Sequence, residues 1–398
     1  MNASELDKLI DWLMGGAQTA PTPNGALSGL CERLVDAGIP LWRVGVFVQT
    51  LHPDAFGRSF IWKQGEDVAV NTAGFDLPES DRFRQSPLAI LYASGHEVRY
   101  RLDDPESRRF PFFDDMRVEG VTDYIALPMR FTDGSLHASS WTTKAPDGFT
   151  DEHLAALRAI IPPFARLGEI FAMRRTAAAL LDTYVGNRAG ERIWAGQIRR
   201  GHAEAMQAAI WLSDLRGFTA LSDRLAASTV VDILNQYFDC QVPAIRKHGG
   251  EILKFMGDGL LAVFPIEKDG GNLGEVCARV LDAAREARSN VEAMRHPGGE
   301  SGVGEERFRF GVALHIGEIL FGNIGGMSRL DFTCIGPAVN LAARLEKIAG
   351  KLSRTVVASS AFAGVSSNGW TDLGEFPIAG FSRAQRVFGL HDEAVRQG

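Results

Sequence analysis

RLDFTCIGPAVNLAARLE, residues 329–346, reads as a strand, a Gly336-Pro337 turn and a helix. On that helix Asn340 and Arg344 stand at i and i+4, so one amide and one guanidinium share a face. Upstream, Glu251 to Met256 and Leu260 to Phe264 are strand-like runs joined by Gly257-Asp258-Gly259, which predicts a tight hairpin with a carboxylate at its tip. Further upstream, the apolar strand Ala208 to Leu212 ends in Ser213-Asp214. Leu215-Arg216-Gly217-Phe218-Thr219 then leads into a helix through Leu221 and Leu225. An acid at a strand end, before a glycine turn and a helix N-terminus, sets a metal ligand beside free backbone N–H groups, which suits phosphate.

Two carboxylates on adjacent strand ends supply hard oxygen ligands for Mg²⁺ or Mn²⁺ bridged to substrate phosphates. Taken singly, either Asp would serve equally well in a turn or a helix cap. All three elements together, in this order and spacing, resemble the catalytic domain of the class III nucleotidyl cyclases over about residues 205–392. The resemblance implies an α/β (α+β) fold of ferredoxin-like topology. Asp214, Asp258 and the carbonyl of Leu215 would hold two metal ions per site, and the amides of Gly217, Phe218 and Thr219 would cradle phosphate. Asn340 would orient the ribose and Arg344 would neutralise charge growing on the α-phosphate. The implied activity is that of an adenylate cyclase, converting ATP to 3′,5′-cyclic AMP and pyrophosphate at a homodimer interface. There one subunit gives the aspartates and the other the remaining side chains.

Base choice follows from Lys254, four residues before Asp258, and Thr333, seven before Asn340. Lys254 offers a donor to adenine N1, and the Thr333 hydroxyl an acceptor for the exocyclic amine. Guanylyl cyclases of this family carry Glu and Cys at these positions. Cys334 lies one residue away, where a slip would exchange the strand's faces, but the spacing favours Thr333. Many members have Asp at the Thr333 position; threonine is similar to the subgroup in which bicarbonate stimulation is common. A lysine usual near the C-terminus is here Ala379, which leaves pyrophosphate contact to Arg383 or another base. Guanylate cyclase activity is the nearest alternative, and a non-catalytic nucleotide-sensing scaffold the next. A diguanylate cyclase would need a Gly-Gly-Asp/Glu-Glu-Phe hairpin, which Gly257-Asp258-Gly259 is not.

Composition agrees with a globular chain of two or three domains: 398 residues, 45% hydrophobic, 23% charged. Forty-two basic against 49 acidic residues, net −7, give no electrostatic footprint for nucleic acid or an anionic membrane. No apolar run reaches a membrane span, and the N-terminus carries acids where a signal peptide has bases, so a cytoplasmic location is expected. Cys31, Cys240, Cys277 and Cys334 are scattered with no CxxC, which predicts buried thiols.

The first half is expected to hold a short docking or dimer helix over residues 4–14 (Leu6, Ile10, Leu13, Met14), ended by APTPNG at 20–25, within a segment 1–20. A helix from Ala26 to Ala37 and a strand from Trp42 to Val48 follow. Tyr124 to Met129 and Leu136 to Thr142 form a strand pair about the turn Thr132–Ser135, and Thr150 caps a helix. This order is similar to a GAF-like sensor domain, assigned to 21–163, with an unknown small-molecule or protein regulator. Pro162-Pro163 is expected to interrupt one helix. Phe164, Leu167, Phe171, Ala178 and Leu181 then mark a signalling helix and linker over 164–204, before the catalytic domain at 205–398. The glycines of 297–304 read as a flexible connection, and Gly322 to Gly326 as a hairpin turn.

Overall fold

The computed structural model describes residues 2–52, 55–267, 272–294, 308–366 and 369–393; the glycine run at 297–304 lies outside them. The chain divides into two compact units, Met1–Leu180 and Leu181–Gly398.

In the first unit β1 (Arg43–His52), β2 (Ala55–Lys63), β3 (Ala69–Ala73), β4 (Val98–Arg101), β5 (Asp123–Arg130) and β6 (Leu136–Thr143) form one sheet in the order β3-β2-β1-β6-β5-β4. Every neighbouring pair is antiparallel. The alternation of β1 sends Val44, Val46 and Val48 to one face, where they pack with Leu30, Leu34, Leu157 and Phe164 from the helices Pro23–Asp36 and Asp151–Val185. Tyr124, Ala126 and Ala138 serve the other face, under Leu88 and Leu91 of the helix Pro87–Ser94.

Local readings shift in three places. The helix Ala3–Met14 buries Leu9 and Leu13 in this same core while Met14 is exposed, so its apolar face is already covered. The segment APTPNG starts a helix rather than ending one: Thr22 accepts a hydrogen bond from the Gly25 amide at 3.1 Å, and Pro23 occupies the first turn, where its missing N–H costs nothing. Pro162-Pro163 does not interrupt the helix, which runs unbroken from Asp151 to Val185. Leu157, Ile160, Ile161 and Phe164 flank the prolines and are buried, and their burial outweighs two lost donors.

The second unit contains β7 (Ala203–Leu215), β8 (Glu251–Met256), β9 (Gly259–Pro265), β10 (Phe310–Gly325), β11 (Leu330–Ile335), β12 (Val356–Ser359), β13 (Trp370–Phe376) and β14 (Gln385–Leu390). Its sheet runs β13-β14-β12-β10-β7-β9-β8, with β11 paired to β10. The helices Ala227–Lys247 and Leu273–Ala293 connect β7 to β8 and β9 to β10. The quartet β10-β7-β9-β8 is therefore a strand-helix-strand-strand-helix-strand unit in 4-1-3-2 order, the ferredoxin-like topology. Both helices cover one face, packing Ile233, Tyr237, Val280 and Ala284 on Trp211, Ala262 and Phe264. The opposite face, with Ile210, Leu212 and Val263, receives Phe332 and Cys334 of β11 and Ala338 and Ala342 of the helix Pro337–Lys351.

The β10–β11 hairpin turns later than the glycines suggest. Gly322 to Gly325 remain in the ladder opposite Thr333 to Leu330, and the Gly326 amide closes the turn on the Arg329 carbonyl at 2.9 Å. All four cysteines are free; Cys31, Cys277 and Cys334 are buried and Cys240 is half-buried. Among the described residues no helix is long and apolar enough to cross a membrane.

Candidate active site

Asp214 lies at the end of β7 with Gly311 of β10 on one side and Gly259 of β9 on the other. Met256 pairs with Gly259, so Gly257 and Asp258 form a two-residue hairpin loop, with Gly257 at φ +68° in the left-handed region that such a loop requires. The two carboxylates are thereby brought together. Asp214 Oδ1 lies 3.4 Å from where a side chain on Gly259 would begin. Burial, then the negative charges of Asp258 and Glu346, then a hydrogen bond with Asp258, push the Asp214 carboxyl up from 3.8 to about 7; Arg216 opposes them.

The donor set of two carboxylates and the main chain at Leu215 is all hard oxygen and carries unrelieved like charge, which fits Mg²⁺ or Mn²⁺. Among the described residues no group of three or more His, Cys, Asp and Glu assembles anywhere. Gly217, at φ +74°, opens the short helix Phe218–Arg224, and it and Thr219 are exposed.

A second cluster lies on β8 and β11. Ile252 pairs with Ala262 and Lys254 with Leu261, so Leu253 is a bulge immediately before Lys254. Lys254 Nζ donates to the Asp331 carboxylate on β11. Asp331 and Thr333 share a face of that strand, whereas Phe332 and Cys334 point into the core. Cys334 is thus turned away from the face that carries Thr333, and burial pushes its thiol up to about 11. Sequence reasoning missed Asp331; the alternation on either side of Thr333 was the available signal.

Asn340 and Arg344 are exposed on the helix Pro337–Lys351, and among the described residues neither side chain makes a hydrogen bond or ion pair. Nor does any such contact join Asp214 or Asp258 to Lys254, Thr333, Asn340 or Arg344 within the chain. The structure thus presents an acid pair and, not bonded to it, a cation, a hydroxyl, an amide and a guanidinium.

A connection between these regions also escaped the sequence. Arg216, two residues after Asp214, lies 3.6 Å from buried Glu346, two residues after Arg344, and donates to the Arg354 carbonyl at 3.3 Å. Ala379 and Arg383 are both exposed, in the stretch between β13 and β14.

Residues 202–388 match the family described as the adenylate and guanylate cyclase catalytic domain. The chain is 33% identical to an adenylate cyclase of Anabaena cylindrica over 149 residues, 37% of this chain and 28% of that protein. It is 32% identical to adenylate cyclase 1 of Rhizobium meliloti over 149 residues, 37% of this chain and 22% of the relative. It thus spans about a quarter of the length of these relatives. Among solved structures, the adenylyl cyclase CyaB from P. aeruginosa is 26% identical and aligns with 50% of this chain and 100% of its own, with a TM-score of 0.43. With the ferredoxin-like core and the paired strand-end carboxylates, the family match identifies residues 202–388 as a class III nucleotidyl cyclase catalytic domain.

Proposed function

We propose that the chain is an adenylate cyclase that forms 3′,5′-cyclic AMP and pyrophosphate from ATP across the interface of a homodimer. The observation that carries this reading is the Asp214–Asp258 pair at adjacent strand ends, where burial and then the neighbouring charge of Asp258 make Asp214 resist ionisation. Mg²⁺ or Mn²⁺ bound there, two ions per site in the family's pattern, would supply charge for the triphosphate and make the ribose 3′-hydroxyl easier to deprotonate. Asp214, Asp258 and the Leu215 carbonyl are the ligands in this reading, and the amides of Gly217, Phe218 and Thr219 hold phosphate oxygens. The 3′-oxygen loses its proton and bonds to the α-phosphorus, while the bond from that phosphorus to the β-phosphate bridging oxygen breaks and pyrophosphate leaves. Asn340 fixes the ribose, and Arg344 pairs with charge that grows on the α-phosphate.

Lys254, steadied by Asp331, donates to adenine N1, and Thr333 accepts from the exocyclic amine; the place of half-buried Thr333 on the Asp331 face of β11 supports this assignment. In this reading the chain works as a homodimer, one copy supplying the acids and the other the remaining four side chains. The GAF-like reading of the first half, with boundaries at 21–163 and a linker at 164–204, is supported by its six-stranded antiparallel sheet with helices on both faces. In this reading that half regulates the catalytic domain.

The test is incubation of the purified chain with ATP or GTP and Mn²⁺ or Mg²⁺, beside Asp258→Ala. Cyclic AMP and pyrophosphate in equal amounts, lost in the variant, are expected. Faster turnover of GTP would replace the adenine assignment with a guanine one. Tight ATP binding with no product under any condition would favour a nucleotide-sensing scaffold.

A further inference from the structure

In the first unit, period-two alternation places Arg58, Phe60 and Trp62 on one face of β2, opposite Val48, Val46 and Val44 of β1. That face belongs to the core: Trp62, Val44, Val46 and Val48 are all buried in it. Arg58 is thus a guanidinium at a position where the strand pattern asks for an apolar residue. The helix Asp151–Val185 repeats the anomaly. Phe164, Gly168, Phe171 and Ala172 make an apolar stripe at helical spacing, and Arg175 ends it.

The two stripes line an apolar cleft that is open to solvent at its mouth. Its walls include Val46, Val48, Phe60, Phe164 and Phe171. Among the described residues Arg58 and Arg175 are the only charged side chains lining it. Among the described residues neither arginine makes a hydrogen bond or ion pair. They are close enough that, after burial, the Arg58 charge helps to hold Arg175 below its ordinary value. Two facing cations without a counter-charge at the rim of an apolar cavity are an unfavourable arrangement that an anion would relieve. A second copy docking by two-fold symmetry would bring four guanidiniums together, so self-association is the poorer occupant.

We propose that this cavity binds an amphipathic monocarboxylate, its apolar body between β1, β2 and the helix and its carboxylate between Arg58 and Arg175. The cavity wall is the helix whose last residues, Leu181–Val185, begin the second unit, so occupancy would be felt on the segment leading to the catalytic domain.

The experiment is isothermal titration of the full chain with decanoate, with decan-1-ol and acetate as the head-less and tail-less controls, alongside thermal melts. Saturable decanoate binding is expected, with a raised Tm and at least about tenfold weaker binding of either control. Arg175→Met, on an exposed part of the helix, should weaken decanoate about tenfold or more and leave decanol unchanged. Ala172→Leu keeps both arginines and adds bulk at a half-buried position that lines the cleft, so decanoate binding should fall about tenfold or more. Equal affinity for decanoate and decanol, indifference to Arg175→Met, or no saturable binding would overturn the assignment. None of these readouts involves nucleotide turnover, so the outcome is independent of the proposed cyclase activity.

Discussion

Within the catalytic domain the two halves of the proposed site are prepared differently. The acid half is half-buried, coupled and rigidly placed: Asp214 is fixed by ladders on both sides, and Asp258 by a two-residue loop. The other half is exposed, and its Asn340 and Arg344 side chains have no partner among the described residues. Electrostatic strain is stored at one end and conformational freedom is left at the other. A site built this way is assembled when something brings the free end to the strained end.

The contrast breaks most severely if either end works alone. Asp258→Ala should lower cyclic nucleotide formation by about 10³-fold or more, and Arg344→Ala by about 10²–10³-fold. Mixed in equal amounts, the two inactive variants should recover about a quarter of wild-type activity, because half the dimers would be mixed and each would hold one intact site. No recovery on mixing, with dimers present, would show that both halves act within one chain.

A smaller effect is expected at the base. Lys254→Glu should reduce the preference for ATP over GTP by about tenfold or more, measured as a ratio of kcat/KM values. Asp331→Asn should move the same ratio less, since it only steadies the lysine. Smaller again is the link between the halves: Arg216→Met should lower kcat several-fold with little change in KM. Glu346→Gln should do the same, if the pair positions the Asn340 helix rather than touching substrate.

The subtlest difference concerns protons. Asp214 titrates near 7 in the folded chain against about 3.9 when unfolded, so the folded state binds that proton more tightly. Its contribution to stability is therefore fully present below about pH 4, falls as pH rises to about 7, and is constant above. Without metal, Asp214→Asn should raise Tm at pH 8 and leave it nearly unchanged at pH 4. Divalent metal affinity in the wild type should climb with pH up to about 7, because binding displaces that proton. A Tm difference independent of pH would remove the stored strain from the comparison.

Legibility in the sequence follows the same physical divide. Asp214, Asp258, Asn340 and Arg344 sit at element ends or fixed helical intervals, so short-range pattern reaches them. Asp331 was obscured because its meaning depends on Lys254, 77 positions earlier, and the Arg216–Glu346 contact because it spans 130 positions. In the first unit, β2 and β3 carry Gly57, Arg58 and a largely exposed edge, which blur the alternation that revealed β5 and β6. Pro162-Pro163 misled because local propensity is weaker than the burial of its neighbours.

Arg216 passes between Gly311 and Gly350, and a side chain at either glycine would collide with its guanidinium. Positions 216, 311, 346 and 350, far apart in the chain, are therefore linked. An alanine at 311 or 350 would push aside the flexible end of the arginine and loosen its contact with Glu346. In a library randomised at these four positions, survivors that keep the ion pair should be enriched in glycine at 311 and 350.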